Sequence, residues 1–194
     1  GVSQRVDIGP GDWVAVHGCG GVGLSAVHTA NALGGNVIAI DIVEEKLELA
    51  EELGAVETID STEVEDVPQA VKSITPGSRG AEVSVEALGI SQTIQDSVNC
   101  LAPQGQHLQV GMTTAEEEGQ VELPIDFMVQ DEREFYGTYG MPPHEYDDIF
   151  RMMESGKIEP GKIVSETCSL GDVPNVMDRL GEYDTMGIPV CTEF

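Results

Sequence analysis

The chain has 194 residues, 40% of them hydrophobic, and 35 acids against 9 lysines and arginines, a formal net charge of −26. That length suits one large domain, or one domain with an appendage, and the apolar content suffices for a real core. The charge repels nucleic acid and anionic membranes, and no apolar run approaches the length of a membrane span.

The N-terminus does not read as a signal peptide; it runs quickly from Gly1 to Trp13, as the interior of a longer protein would. Hydrophobic periodicity runs throughout, which argues against disorder despite the acidity. The composition predicts a folded protein of a high-salt cytoplasm, where screening tolerates self-repulsion. The cluster Glu116-Glu117-Glu118 reads as a solvated loop. Cys19, Cys100, Cys168 and Cys191 are far apart and form no CxxC pair, so buried free thiols are expected rather than a zinc site or a disulfide framework.

Taken in order, the turn Gly9-Pro10-Gly11-Asp12 introduces a first strand over Val14 to His17. A helix with Leu24, Val27 and Ala30 on one face follows and stops at Gly34-Gly35. Val37 to Ile40 is a continuous apolar run, the pattern of a parallel strand buried on both faces. A second helix covers about Val43 to Leu53, and a short strand lies near Thr58-Ile59. Pro68 opens a third helix, stopped at Thr75-Pro76-Gly77, before a strand over Ala81 to Leu88. Ile94, Val98 and Leu101 form a helical stripe; the turn Pro103-Gln104-Gly105 leads into a strand from His107 to Val110. A short helix around Pro124 to Gln130 and a sixth strand over Phe135 to Tyr139 complete the alternation.

This order predicts an α/β fold, a six-stranded doubly wound parallel sheet (Rossmann), with a C-terminal helix/strand extension. The pattern changes after Gly140, which divides the chain into 1–140 and 141–194. The second piece carries a helix on Tyr146, Ile149 and Met153, a strand near Ile163 to Ser165, a helix from about Pro174 to Leu180 and a strand over Ile188 to Cys191. It is too small for a core of its own and should pack on the sheet or on a further domain.

The site is predicted at the carboxyl ends of the strands. Gly18, Gly20 and Gly23 close the first strand in the GxGxxG spacing of a dinucleotide turn. Gly18 allows the sharp turn, Gly20 leaves no Cβ between backbone and pyrophosphate, and Gly23 permits close helix packing. The helix N-terminus, with its unpaired N–H groups and positive dipole end, faces the phosphates. Asp41 ends the second strand about 20 residues on, where the fingerprint places an acid on the adenosine ribose. A generic βαβ unit with a solvated aspartate is the plainer alternative. Leu88, Val110 to Met112 and Thr138 fall at further strand ends on the same edge.

From Gly11 to Phe194 the chain resembles the C-terminal part of zinc-type medium-chain alcohol dehydrogenases. The likeness is carried by Gly11-Asp12-Trp13-Val14-Ala15-Val16-His17-Gly18-Cys19-Gly20-Gly21-Val22-Gly23, by Ile40-Asp41-Ile42-Val43-Glu44-Glu45-Lys46, by Glu52-Leu53-Gly54-Ala55, by Gly137-Thr138-Tyr139-Gly140 and by Gly187-Ile188-Pro189-Val190. The resemblance implies an NAD-dependent oxidoreductase acting on a small alcohol or aldehyde, cytoplasmic and homo-oligomeric (dimer or tetramer). Gly18, Gly20, Gly21, Val22 and Gly23 would hold the pyrophosphate. Asp41 would take the ribose hydroxyls, favouring NAD over NADP, with Lys46 approaching the same ribose. Ala87 and Leu88 would flank the adenine, and Val110, Gly111, Met112, Thr138 and Tyr139 the nicotinamide end. It also implies zinc in an N-terminal catalytic domain outside this stretch, so that residues 1–194 alone turn nothing over. His17, His28, His107 and His144 are expected to be structural or surface residues rather than ligands, and the stretch at Ile188 has no basic residue for the pyrophosphate. Two other readings stay open: a non-catalytic NAD-sensing domain and a zinc-independent quinone or enoyl reductase.

Overall fold

The structure, a computed structural model, describes residues 1–140, 143, 146–181 and 185–194. Six parallel strands make the main sheet: β1 (Trp13–His17), β2 (Asn36–Asp41), β3 (Ala55–Asp60), β4 (Ala81–Glu86), β5 (Leu101–Gln109) and β6 (Glu134–Gly137). Their order is β3-β2-β1-β4-β5-β6, the doubly wound arrangement with its reversal between β1 and β4. The helices α1 (Gly21–Leu33), α2 (Glu44–Glu52), α3 (Val67–Ile74), α4 (Ser91–Asn99) and α5 (Ile125–Gln130) alternate with the strands.

Side-chain alternation along each strand divides the core in two. Val14 and Val16 of β1 and Val37 and Ala39 of β2 join Leu24, Val27, Leu47 and Leu53 on one face. Ala15, Ile38 and Ile40 point the other way and join Val71 and Cys100. Both faces are covered, which is why these strands read as unbroken apolar runs. Full burial of each large aliphatic side chain contributes about 1.5–3 kcal/mol.

The ends of the helices follow their sequence signals. Gly34 ends α1 at φ 99°, and the N–H groups of Gly34 and Gly35 return to Asn31 O and Ala30 O, satisfying the last-turn carbonyls. Asp66 caps α3 by accepting from Gln69 N at 2.8 Å, with Pro68 in the first turn.

Two expectations are corrected here. Leu101 does not continue the α4 stripe: the helix stops at Asn99, and Leu101 opens β5 as the partner of Ala81. Pro103-Gln104-Gly105 does not precede the strand but bulges out of it. The pairing jumps from Leu101 to Gln106 over one intervening β4 residue, and Gln104 takes φ 63°. Arg133 holds the crossing in place, donating to Val98 O and Leu101 O at 2.7 Å each.

The C-terminal piece contains α6 (Tyr146–Glu154), β7 (Val164–Ser169), α7 (Val173–Gly181) and β8 (Ile188–Glu193). β7 and β8 pair in parallel as a separate two-stranded sheet. The strand expected from Ile163 to Ser165 is thus shifted: Ile163 ends a 3₁₀ turn and packs in the main core. His28 of α1 anchors the same region, accepting from Glu159 N at Nε2 (2.8 Å), with its Nδ1 3.1 Å from Leu53 O. That pair of bonds requires the Nδ1–H tautomer.

Candidate functional site: a cleft at the carboxyl edge of the sheet

β1 ends in a turn that only glycine completes. Gly18 has φ 90°, its N–H bonds Ile40 O at 2.8 Å, and a Cβ there would lie 2.5 Å from Leu88 Cγ. A Cβ on Gly23 would stand 1.7 Å from the Gly18 carbonyl oxygen, so α1 can start this close to the turn only without one. Gly20 is different: nothing lies within 4 Å of its would-be Cβ. Its bareness serves no packing need of the described residues and leaves open backbone facing the cleft. α1 begins here with no side-chain cap and no acid in its first turn, so its N-terminal N–H groups and dipole remain available to an anion. Gly21 faces the C-terminal piece, where a Cβ would come 2.6 Å from Ile188 Cγ1.

Asp41 is buried and committed to backbone. Its Oδ2 accepts from Cys19 N at 2.6 Å, and its Oδ1 from Ile42 N at 2.8 Å and Val43 N at 3.1 Å. A carboxylate offers about four lone-pair sites, and these bonds occupy three. The acid therefore ties the end of β2 to the glycine turn while it lines the cleft. Cys19 is fully buried between them; burial and Asp41 push its thiol up to about 12, as expected of an inert space-filler.

The cleft encloses about 1240 Å³ and unites Gly18, Gly20, Gly21, Val22, Asp41 and Lys46. Ala87 and Leu88 line it too. Gly23 lies behind, supporting the turn. Exposed apolar side chains at this cleft include Val22, Ile42 and Ile90. Ile42 and Ile90 were not singled out from sequence, although an apolar residue directly after each strand or turn is the available signal. At the far end Phe127 lies under Arg133 (4.1 Å) and Lys72 (5.9 Å). Asp96 lines that end as well, its carboxyl pushed up by burial. Leu180 and Thr185 bring the C-terminal piece to the rim.

Val110, Gly111, Met112, Thr138 and Tyr139 do not line this cavity. Gly111 borders a separate cleft of about 210 Å³ with Gln109 and Phe135. Met112 and Tyr139 are largely exposed, and Thr138 N bonds Gln109 O at 3.1 Å. These residues sit on the same sheet edge, and Val110 and Gly111 are joined to the main cleft through Glu86, which also holds Leu88 N.

Glu86 is the residue that sequence reasoning passed over. It is fully buried at the end of β4, where backbone N–H groups, a hydroxyl and an amide donate to its carboxylate. Its Oε1 accepts from Leu88 N (3.0 Å), Gly89 N (2.8 Å) and Thr93 Oγ1 (2.8 Å), and its Oε2 from Gln109 Nε2. Its carbonyl accepts from Val110 N and Gly111 N at 2.9 Å each. The loops after β4 and β5 are thereby locked together, and a Cβ on Gly89 would fall 1.8 Å from Met112 O. Gln109 extends the network to His107 Nε2 at 3.0 Å, and His107 Nδ1 meets Ser84 and Ser97 hydroxyls at 3.1 Å each. The signal in the sequence was an acid closing a strand that carries Val83 and Val85, just before a glycine-containing turn.

His17, His28 and His107 are built into the scaffold. Burial pushes His17 down to about 3, and His107 to about 4. His17 Nε2 contacts Cys100 Sγ at 3.6 Å. His144 lies outside the described residues. Among the described residues no three His, Cys, Asp or Glu side chains come together to hold a metal, and no helix is long and apolar enough to cross a membrane. Cys19 and Cys100 are buried as expected, but Cys168 and Cys191 are only half-buried, because their two-stranded sheet is not sandwiched between layers.

The family model for "Zinc-binding dehydrogenase" matches residues 21–155. The chain is 29% identical to a sorbitol dehydrogenase of Bacillus subtilis over 182 residues, covering 93% of this chain and 50% of that protein. Among solved structures, the alcohol dehydrogenase TADH from Thermus sp. ATN1 superimposes with a TM-score of 0.82 at 28% identity, over 92% of this chain and 50% of that one. The alcohol dehydrogenase of Aeropyrum pernix gives 0.83 at 27% identity, over 97% and 52%. The chain spans about half the length of these relatives.

Proposed function

Since this chain belongs to the zinc-binding dehydrogenase family, we propose that it is the NAD-binding portion of an alcohol dehydrogenase-like oxidoreductase. The observation that carries the reading is the join of the Asp41 carboxylate to Cys19 N beside the bare backbone of Gly20. A dinucleotide laid across that join would have its pyrophosphate over the α1 N-terminus and its adenosine ribose at the remaining lone pair of Asp41. Ile42 and Ile90 would sandwich the adenine together with Ala87 and Leu88. Lys46, buried on α2 and lining the same cleft, would adjoin the ribose. NAD is preferred over NADP, because a 2′-phosphate would meet the Asp41 charge at close range, a repulsion of a few kcal/mol at a partly buried site.

The bound cofactor supplies hydride exchange with an alcohol or carbonyl carbon. The residues of this chain supply position. The turn holds the pyrophosphate, Asp41 sets the ribose, and the backbone of Val110, Gly111, Met112, Thr138 and Tyr139 steers the nicotinamide end. No donor set for zinc comes together among the described residues. Zinc, a small alcohol or aldehyde substrate, and residues 141–194 returning to a catalytic domain belong to the proposal for the whole protein. So does oligomerisation through β6, which forms one edge of the sheet.

Calorimetric titration with NAD⁺ and NADP⁺ tests the reading. NAD⁺ is expected to bind about tenfold or more tightly than NADP⁺, with no turnover by these 194 residues. Equal or reversed preference would remove Asp41 from the ribose.

A further inference from the structure

Positions 168 and 191 are far apart in sequence, yet the fold brings them side by side. β7 and β8 run parallel, and Cys168 is the register partner of Cys191. Register partners on neighbouring strands project from the same face, at a strand spacing of about 4.8 Å. That lies inside the roughly 4.4–6.8 Å Cα separation that a disulfide spans. Cys191 lies close enough to push the Cys168 thiol up, while its own Sγ donates to Glu193 O at 3.7 Å. Both residues are half-buried, whereas Cys19 and Cys100 are buried. The pairing slips just beyond, between Cys168 and Ser169, so the backbone beside the pair is not held in a rigid ladder.

We propose that Cys168 and Cys191 are a redox-active dithiol that oxidises to a disulfide across β7 and β8. The oxidant is a low-molecular-weight disulfide of the glutathione class. The Cys191 thiolate attacks one sulfur of the oxidant and releases one thiol, leaving a mixed disulfide on Cys191. Cys168 then loses its proton and attacks the protein-bound sulfur, releasing the second thiol. Two protein S–H bonds are lost, one protein S–S bond forms, and one oxidant disulfide is reduced to two thiols. Burial, Cys191, Asp172 and Glu166 push the Cys168 thiol up, which suits the resolving sulfur.

The bond has a path to the cofactor cleft. β8 opens at Ile188, whose Cγ1 lies 2.6 Å from the position of a Cβ on Gly21, and the Gly187 carbonyl oxygen lies 3.2 Å from it. A staple between β7 and β8 holds this contact on the glycine turn; the dithiol leaves β8 bound by its ladder alone.

Incubation of the purified protein with oxidised glutathione, followed by intact mass and non-reducing peptide mapping, tests the proposal. The expected result is loss of two hydrogens, a peptide pair joining Cys168 to Cys191, and reversal by dithiothreitol. Cys191→Ser and Cys168→Ser should each instead accumulate one mixed glutathione disulfide on the remaining thiol. Stable mixed disulfides on the wild-type protein without an internal bond, disulfide-linked dimers, or no reaction at either cysteine would each overturn it. The wild-type measurement decides the matter even where a serine variant fails to fold.

Discussion

The Asp41 carboxylate accepts a 2.6 Å hydrogen bond from the backbone N–H of Cys19, 22 residues earlier in the chain. One side chain thus couples the end of β2 to the glycine turn and also faces the cleft. Two functions in one residue make separable consequences. Asp41→Ala should weaken NAD⁺ binding by about 1–3 kcal/mol and lower folding stability by a similar amount, because buried N–H groups lose their acceptor. Calorimetry and urea denaturation read the two effects independently. Lost stability with unchanged affinity would make Asp41 a scaffold residue alone.

Gly20 and Gly23 separate ligand space from packing. Gly20 already has φ −75° and open space at its Cβ position. Gly20→Ala should change stability by less than about 0.5 kcal/mol while weakening NAD⁺ binding several-fold. Gly23→Ala must displace the Gly18 carbonyl and should cost about 1–3 kcal/mol of stability. Equal NAD⁺ affinity for Gly20→Ala and wild type would place the pyrophosphate elsewhere.

Glu86→Gln replaces an all-acceptor group with one that carries an amide donor. Its partners Leu88 N, Gly89 N and Gln109 Nε2 are all donors, so at least one faces a donor instead. Stability should fall by about 1–3 kcal/mol. Amide exchange should quicken in the loops after β4 and β5, and a uniform change across the sheet would argue against this local role.

His17 and His107 give stability a slope with pH. Their ordinary value is 6.5, and burial holds them at about 3 and about 4 in the folded chain. Below pH 6.5 the unfolded chain takes up protons that the folded chain refuses. Their contribution is therefore complete above that pH and is lost as pH falls toward 4 and 3. The slope approaches about 1.4 kcal/mol per pH unit for each histidine. Urea midpoints between pH 7 and 5 measure it, and His17→Gln should flatten it; a flat wild-type profile would contradict the burial of both rings.

The acidic surface makes stability depend on salt. With 35 acids against 9 Lys and Arg, exposed pairs such as Arg151–Asp148 and Lys162–Glu159 neutralise little of the repulsion. Raising salt from 0.1 M to 1 M shortens the screening length from about 10 Å to about 3 Å. The thermal midpoint should rise across that range, and circular dichroism should show loss of helix in dilute buffer. Equal stability in both conditions would remove the high-salt reading of the composition.

Much of the fold was legible in the chain because its signals are local. The runs Val14 to His17 and Val37 to Ile40 marked strands, the second of them buried on both faces, and glycines and Pro68 marked helix ends. The GxGxxG spacing and Asp41 pointed to the carboxyl edge of the sheet, where the large cleft lies, since a strand followed by a helix leaves its carboxyl end there. Leu101 was misplaced because an apolar residue one turn beyond Val98 fits a helix and a strand equally well. What remained hidden depends on partners far along the chain. Glu86 meets Gln109 across 23 residues, and Glu159 meets His28 across 131. Cys168 faces Cys191 only through the register of a two-stranded sheet. Periodicity determines which side of an element is buried. Only the packed structure decides which buried donor finds which acceptor, because that choice is made between elements and leaves no spacing in the sequence.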